Sequence, residues 1–213
     1  FMRYQLMGNR RNNSSDKALY CCGPFPFYNY TSLLFNGTDK YYYQINRDIV
    51  KAFKRKFLHI DIKLHPIKED YCFNYFRQLL SALKYSKANI IYGINAESIM
   101  KSYGLMIFDF IGTAIFPFAM SLKVPIILYL KDIDVVSPFV LEDLKTRCYI
   151  VRDRKELGEI LGKYAAGNLP SKWSLDIIDR YVYPIKKGHP GPHIANYIKS
   201  VCSGDKLALT PTV

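Results

Sequence analysis

The sequence predicts an α/β protein with a doubly wound, Rossmann-like parallel sheet of about six strands, helices on both faces and a helical C-terminal tail. Short apolar runs alternate along the chain with longer segments whose apolar residues recur at helical spacing. The short runs are apolar throughout, as expected of strands that are covered on both faces. With 213 residues, 49% of them hydrophobic, the chain can bury a sizeable core.

The first strand and the first helix illustrate the two patterns. ALYCC (18–22) is a short apolar run that ends at GPFP, which indicates a buried strand that leads into a loop. Residues 38–56 then carry apolar side chains at helical spacing, and Thr38 or Asp39 can cap the helix start. The last turn is basic, which suits the helix dipole, so we interpret these cations as a solvated helix end in preference to a binding patch.

The remaining elements follow in the same alternation. Further strands are predicted at 57–66, 88–93, 104–110, 124–130 and 148–151. Further helices are predicted at 69–86, 96–103, 112–123, 137–147 and 152–167, and in a tail that runs from 172 to 201. The helix at 137 begins at a Ser-Pro cap, and Gly167 is a helix stop.

Three regions are predicted. Residues 1–17 are a linker or the end of a missing N-terminal domain, 18–168 a Rossmann-like nucleotide-binding domain, and 169–213 a helical extension packed on it. The chain begins at Phe1 and not at methionine, which indicates a fragment. No secretory signal opens the chain, so we expect a cytoplasmic protein, with the inner face of the plasma membrane as an alternative.

Net charge and cysteine usage restrict the partner and the compartment. The formal net charge of +12 favours an anionic partner, such as a nucleotide, a sugar phosphate, an acidic polymer, a membrane surface or a nucleic acid. The five cysteines are odd in number and lack C-x-x-C spacing, which is typical of a reduced, intracellular protein.

Residues 103–130 form a segment long and apolar enough to span a bilayer, since Asp109 and Lys123 are its only charges. An aspartate within a bilayer is costly, and Gly112 and two prolines divide the run into pieces of strand and helix length. We therefore expect buried α/β elements here.

The segment KLHP (63–66) closes the second predicted strand. In open parallel sheets, ligands bind outside the carboxyl ends of the strands. Pro66 forces the chain out of the strand, so His65 is expected at the rim of the sheet, with Lys63 on the same face. An ammonium and an imidazole placed together suit a phosphate oxygen. A histidine that caps a loop carbonyl is the equal alternative.

The segment DFIGT (109–113) follows the fourth predicted strand. Gly112 lets the backbone approach a ligand, and Thr113 offers a hydroxyl where a helix starts. Amide groups at a helix start bind anions. Asp109 could bond a ribose or loop amides, and the residues alone favour a structural aspartate.

Other candidate residues carry weaker signals. In GPFPFYNY (23–30), Gly23 permits close approach and Tyr28 could stack on a base or sugar, although such loops more often pack internally. The histidines of HPGPH (189–193) lack further metal ligands, and DID (132–134) is a chance-level match to a metal motif. We therefore predict no metal site.

The order of KLHP, helix, strand and then DFIGT with KVPIILYL behind it resembles the nucleotide-binding C-terminal half of GT-B glycosyltransferases. Among these it is most similar to bacterial enzymes of surface and capsular polysaccharide synthesis, which are related to CDP-glycerol glycerophosphotransferases and polysialyltransferases. In that family an HP dipeptide and a small hydroxyl-bearing loop hold the nucleotide phosphates. The resemblance assigns these roles to His65 and Pro66, and to Gly112 and Thr113 after Asp109.

The resemblance implies transfer of a sugar from a nucleotide-activated donor to a surface or capsular glycan, free or lipid-linked, with the donor as substrate and no further cofactor. His65, as the catalytic residue, and the loop would stabilise the departing phosphate. Many relatives carry a ribose-binding glutamate where this chain has Pro117 or Phe118. The family's acceptor domain and usual catalytic base lie in an N-terminal half outside this chain, so the fragment is expected to bind nucleotide with little turnover.

Two other classes of function stay open. The basic charge and 18 tyrosines would suit a nucleic-acid-binding module, but no recognised nucleic-acid motif is present, so this partner is not favoured. A non-catalytic module that rests its basic face on anionic lipid is the other alternative. Nucleotide binding would separate both from a glycosyltransferase.

Overall fold

A computed structural model describes residues 17–23, 39–66, 69–131 and 136–178. Within them lies a parallel sheet of six strands in the order β3-β2-β1-β4-β5-β6, which confirms the predicted fold class. The strands are β1 Lys17–Cys21, β2 His59–Lys63, β3 Ala88–Ile91, β4 Leu105–Phe108, β5 Ile126–Tyr129 and β6 Tyr149–Val151. The helices are α1 Asp39–Lys56, α2 Glu69–Ala82, α3 Ala96–Met100, α4 Ile115–Ser121, α5 Pro138–Arg147, α6 Arg154–Ala165 and α7 Leu175–Ile177.

The helices cover both faces of the sheet, as a doubly wound fold requires. Helices α1, α2 and α6 pack on one face, called here the α1 face, and α3, α4, α5 and α7 pack on the other, the α4 face. Alternate residues of each strand serve the two cores: in β1, Ala18 and Tyr20 face α1, whereas Leu19 and Cys21 face α4. This two-sided burial explains why the strands are apolar throughout.

Most predicted elements extend a few residues beyond the observed ones, and the second strand and the fourth helix differ clearly in where they start. The second strand starts at His59 and not at residue 57, because Phe57 adopts a left-handed backbone with φ of 55° that ends α1. The fourth helix starts at Ile115 and not at residue 112, and spans only seven residues. Of the predicted tail, the structure describes α7; residues 179–213 lie outside the described ranges.

Helix α6 is capped at both ends, and it starts at Arg154, two residues after the predicted start at 152. The Asp153 carboxylate caps its start by accepting hydrogen bonds from the backbone N–H groups of Lys155 and Glu156. At the other end Gly167 has φ of 70°, and the N–H groups of Gly167 and Asn168 bond back to carbonyls of the last turn. These two bonds form a Schellman motif, which confirms Gly167 as the helix stop.

The apolar segment 103–130 is divided among β4, α4 and β5, as expected. In the part of the chain that the structure describes, no helix has the length and apolar character needed to cross a membrane. The fully buried Arg147 of α5 supports this segment by donating hydrogen bonds to the carbonyls of Met120, Leu122 and Val124, at 3.0, 2.6 and 3.2 Å. These carbonyls belong to the end of α4 and the loop after it, so the Arg147 guanidinium supplies the hydrogen-bond donors that the C-terminal end of α4 needs.

Four cysteines fall in the described residues, Cys21, Cys22, Cys72 and Cys148, and all four are buried free thiols. Burial raises the pKa of each strand-end thiol, Cys21 and Cys22, well above its ordinary value. Both are therefore core residues, as predicted. Trp173 anchors the segment before α7, because its indole N–H donates to the Ser121 carbonyl at 3.2 Å.

Candidate functional site

The strand order reverses between β1 and β4, at the centre of the sheet. Successive strands extend from β1 through β2 to β3 on one side and from β4 through β5 to β6 on the other. In open α/β sheets, ligands bind in the crevice at the carboxyl edge beside such a reversal, and the edge between β1 and β4 is called here the switch-point crevice. Gly23 follows β1 and Asp109 follows β4, so two predicted site residues lie at this switch point.

Asp109 joins the two strand ends. Its Oδ1 accepts a hydrogen bond from the Gly23 backbone N–H at 2.6 Å, and its Oδ2 accepts one from the Tyr20 hydroxyl at 2.6 Å. The residue is 6% exposed. Burial raises the pKa of Asp109 to about 6, although both hydrogen bonds oppose that rise. Asp109 thus bonds a loop amide, one of the roles expected from the sequence.

The Tyr20 hydroxyl belongs to a longer buried chain of polar groups. It also donates to Oδ1 of Asn46, a residue of α1 that is 1% exposed. A phenol has one proton and here meets two acceptors. Protonation of Asp109 supplies the missing hydrogen, so the carboxyl can donate to Tyr20 while Tyr20 donates to Asn46. The chain links the α1 helix to the loop after β1 through one titratable group.

The loop after β4 is organised around Phe110. A Cβ atom on Gly112 would lie 2.5 Å from Cζ of that ring, and a Cβ on Gly23 would lie 3.0 Å from the Phe110 Cβ. Both glycines therefore make room for Phe110. The sequence pointed to close approach at Gly112, and the neighbour that the structure supplies is this aromatic side chain.

Thr113 carries an unsatisfied polar atom. Its Oγ1 is buried and has no hydrogen-bond partner among the described residues. The hydroxyl does not cap α4, because the N-cap position is Ala114, which makes no side-chain capping bond. A helix of seven residues has a small dipole, so an anion bound here would depend chiefly on loop amides and this hydroxyl.

Lys63 and His65 lie at the end of β2, next to β1. Lys63 is 5% exposed, and its Nζ donates to the Leu64 carbonyl at 2.7 Å. His65 is half-buried and follows the strand, with exposed Pro66 after it. Strand alternation assigns Lys63 to the α4 face, whereas the Asp109 carboxyl bonds Tyr20 on the α1 face. These residues share the carboxyl edge, with β1 between them.

Several predicted residues cannot be placed. Tyr28, the DID segment (132–134) and the HPGPH segment (189–193) lie outside the described residues. Within the described ranges, no three His, Cys, Asp or Glu side chains cluster as a metal site would need. The assignment of ligand-binding roles to Gly23, Lys63, His65, Asp109, Gly112 and Thr113 stays a prediction.

Sequence reasoning missed Tyr20, Asn46 and Phe110. Tyr20 lies inside an apolar strand and gave no separate signal. Asn46 did give one, because an asparagine beside Ile45 and Ile49 lies on the apolar side of α1 and must find a buried partner. Phe110 could be linked to its two glycines only once the strand order was known.

No protein-family model and no curated protein matches the sequence. A UDP-GlcNAc 2-epimerase from Methanocaldococcus jannaschii, solved with UDP-GlcNAc and UDP, is 16% identical with a TM-score of 0.48, and 82% of this chain covers 46% of it. A protein assigned as the same epimerase in Listeria monocytogenes is 13% identical with a TM-score of 0.47, over 87% and 46%. The chain thus spans less than half of either protein.

Proposed function

We propose that this chain is the nucleotide-sugar-binding part of a glycosyltransferase that moves a sugar from an activated donor to a surface or capsular glycan. The observation that carries the proposal is the position of the DFIGT loop and Gly23 on either side of the switch point, with the KLHP segment one strand away. Phosphate groups of a donor would lie across this edge. The donor is the substrate, and the acceptor is the glycan, free or lipid-linked.

The unsatisfied Thr113 hydroxyl supports a ligand at this edge. Burial of a hydroxyl without a partner costs about 1 to 3 kcal/mol, a penalty that a bound phosphate oxygen would remove. His65, as the catalytic residue, would donate to the phosphate that leaves with the nucleotide and so stabilise its developing charge. Lys63, at the end of β2, would add positive potential at the same edge of the sheet.

The same strand order occurs in dinucleotide-binding domains, but this chain lacks their sequence signature. Dinucleotide-binding domains place G-x-G-x-x-G directly after β1, so that a backbone free of side chains meets the pyrophosphate. Here Gly23 is followed by PFPFYN, in which two prolines remove amide donors and bulky rings occupy the glycine positions. A nucleotide sugar held by the loop after β4 is more consistent with this sequence.

The proposal is tested by thermal unfolding with CMP, UDP, GDP and their sugars, on the wild type and on the variants His65→Ala and Thr113→Val. A ligand at a hundredfold excess over its Kd stabilises the fold by about 2.7 kcal/mol, which raises Tm measurably. We expect one nucleotide family to raise Tm in the wild type, and each variant to reduce that rise.

Thr113→Val also serves as its own folding control. Because valine is nearly isosteric and removes an unsatisfied hydroxyl, the unliganded variant should be at least as stable as the wild type. A loss of stability would mean that the hydroxyl has a structural partner. The absence of any nucleotide-induced rise in the wild type would refute donor binding by this chain.

A further inference from the structure

A groove of about 870 Å³ lies between α1 and α6, where they pack side by side on the α1 face. Its volume is within the range of ligand-binding sites in proteins. Small residues leave space between the helices: Ala52 and Gly158 line the groove, and a Cβ added to Gly158 would meet no atom within 4 Å. The groove is therefore an open channel between two helices.

The groove is lined mainly by cations. Six basic side chains line it, namely Arg47, Lys51, Arg55, Lys56, Arg154 and Lys155. Among the residues that the structure describes, none of the six side chains forms a hydrogen bond or an ion pair. The Nε of Arg47 is one of three buried side-chain nitrogen or oxygen atoms in those ranges that lack a hydrogen-bond partner. Cations outnumber carboxylates in the lining by six to three, so the groove has a net positive potential that attracts anions.

The cations of α1 are regularly spaced. Arg47, Lys51 and Arg55 are four residues apart and thus rise about 6 Å per step along one side of the helix. Arg154 and Lys155 face them from the first turn of α6. A ladder of this kind matches a linear ligand whose negative charges repeat, better than it matches a single phosphate.

Carboxylates are interspersed with these cations. Asp48, Asp153 and Glu159 also line the groove. Asp153 is engaged as the cap of α6, and Asp48 accepts from the Tyr129 hydroxyl at 3.4 Å, whereas Glu159 is exposed. A carboxylate repels a bare polyanion but accepts hydrogen bonds from hydroxyl groups. The mixed lining therefore suits a ligand that carries both anionic groups and hydroxyls.

We propose that the groove between α1 and α6 binds an acidic polysaccharide, with its anionic groups on the α1 ladder and its hydroxyls on Glu159. The sequence alone favours a solvated helix end for the basic last turn of α1. That interpretation is kept for Lys54, which does not line the groove and donates to the Leu83 carbonyl, but not for Arg55 and Lys56, which line it. Binding here requires none of the residues of the switch-point crevice, so this proposal does not depend on nucleotide binding.

Two other anionic partners fit the groove less well. Single-stranded nucleic acids are held by aromatic stacking beside a basic track, and no aromatic residue lines this groove in the described ranges. A membrane surface is broad, whereas these cations converge into a channel between helices. Lipid headgroups would also meet Glu159 unfavourably, because they place phosphates densely at the surface.

The test measures the affinity of the full chain for fluorescent polygalacturonate, an acidic polysaccharide, with neutral dextran as the ligand control. We expect binding of polygalacturonate alone, and about tenfold weaker affinity in Lys51→Ala/Arg55→Ala, because two partly exposed charge contacts are each worth up to about 1 kcal/mol. The matched control, Arg77→Ala/Lys163→Ala, removes the same charge from exposed sites outside the groove and should change affinity about twofold at most. Equal losses in the two pairs would overturn the proposal, because net charge alone would then explain binding.

Glu159→Ala distinguishes the glycan from other polyanions. It makes the groove more positive, so affinity for a bare polyanion should rise, whereas affinity for a hydroxyl-bearing glycan should stay level or fall. The same variants are titrated with single-stranded DNA and with vesicles of phosphatidylglycerol and phosphatidylcholine. Tighter binding of DNA or vesicles than of polygalacturonate, lost in Lys51→Ala/Arg55→Ala, would assign the groove to that partner and refute the glycan.

Discussion

Asp109 connects the ends of β1 and β4 at the switch point and contributes to the stability of the fold. Its carboxyl bonds the first amide beyond β1 and the hydroxyl of Tyr20, so the loop after β1 is tied to β4 by a side chain and not by the sheet ladder. Buried polar groups that are satisfied in this way fix one arrangement of a loop. The protonation state of Asp109 therefore affects the geometry of the switch point.

The raised pKa of Asp109 makes stability depend on pH. The ordinary pKa of 3.8 describes the unfolded chain, and burial raises it to about 6 in the fold. The folded state therefore binds the proton more tightly, and this contribution to stability is complete below pH 3.8 and is lost as pH rises through about 6. Two pKa units correspond to about 3 kcal/mol. In Asp109→Asn, which cannot ionise, this contribution should be absent.

The measurement is urea unfolding of the wild type and Asp109→Asn at pH values below and above this range. The free energy of unfolding of the wild type, relative to the variant, should fall by up to about 3 kcal/mol between the two conditions. Glu142→Gln, which removes an exposed carboxylate that is 70% accessible, controls for the loss of one charge. A constant difference between wild type and Asp109→Asn would show that Asp109 does not titrate in this range.

Single residues of the site were predictable from sequence only in part. Gly23, His65 and Asp109 stand out because each follows an apolar run, and the carboxyl ends of parallel strands share an edge. The bond between Gly23 and Asp109 was not predictable, because it requires β1 and β4 to be neighbours although 83 residues separate the strands, from Cys21 to Leu105. Partners that are distant in sequence depend on strand order, which local patterns do not contain.

At the scale of elements, helix α6 offers a matched pair of glycines. Gly167 has φ of 70° at the helix stop, where alanine would be strained, so Gly167→Ala should lower the free energy of unfolding by about 1 to 2 kcal/mol. Gly158 lies inside the helix with open space around its missing Cβ, so Gly158→Ala should raise stability by about 0.5 to 1 kcal/mol. Urea unfolding of both variants gives the two signs. Destabilisation by Gly158→Ala would mean that this position requires glycine for packing.

The elements themselves followed closely from the sequence, because apolar periodicity and caps are local. The lengths of β2 and α4 did not. Phe57 adopts a left-handed conformation at a position where the sequence has no glycine to indicate it. Helix α4 is shortened to seven residues at the loop around Phe110. The role of Arg147 was also hidden, since an arginine in a basic last turn is expected in solvent, yet here it is fully buried against the carbonyls that follow α4.

At the scale of the whole molecule, fold class was predictable and the order of the strands was not. Alternating strands and helices with two-sided burial require a parallel sheet, but several orders satisfy that pattern. The observed order places the reversal between β1 and β4, and this alone brings Gly23 beside Asp109. The same order sets α6 beside α1 and so creates the basic groove, whose two halves lie about 100 residues apart in the chain.

Both the crevice and the groove are proposed to bind anions, so their independence is itself a prediction. His65 lies at the end of β2 and Lys51 and Arg55 lie on the outer part of α1, and substitutions at separate sites without shared partners add within about 0.5 kcal/mol. We therefore expect Lys51→Ala/Arg55→Ala to leave the nucleotide-induced rise in Tm unchanged, and His65→Ala to leave polygalacturonate affinity unchanged. The triple variant should lose the nucleotide-induced rise in Tm as far as His65→Ala does, and polygalacturonate affinity as far as Lys51→Ala/Arg55→Ala does.

The opposite result would place the nucleotide in the groove between α1 and α6. If Lys51→Ala/Arg55→Ala abolished the nucleotide-induced rise in Tm while His65→Ala preserved it, the phosphates would bind in the groove between α1 and α6 and the crevice proposal would fail. If both sets of substitutions weakened both ligands, one extended anion site would run from the carboxyl edge along α1. Because the six cations of the groove lie between α1 and α6 and His65 follows β2 at the carboxyl edge of the sheet, we expect neither outcome. Thermal unfolding and polygalacturonate titration of the same protein preparations decide among the three arrangements.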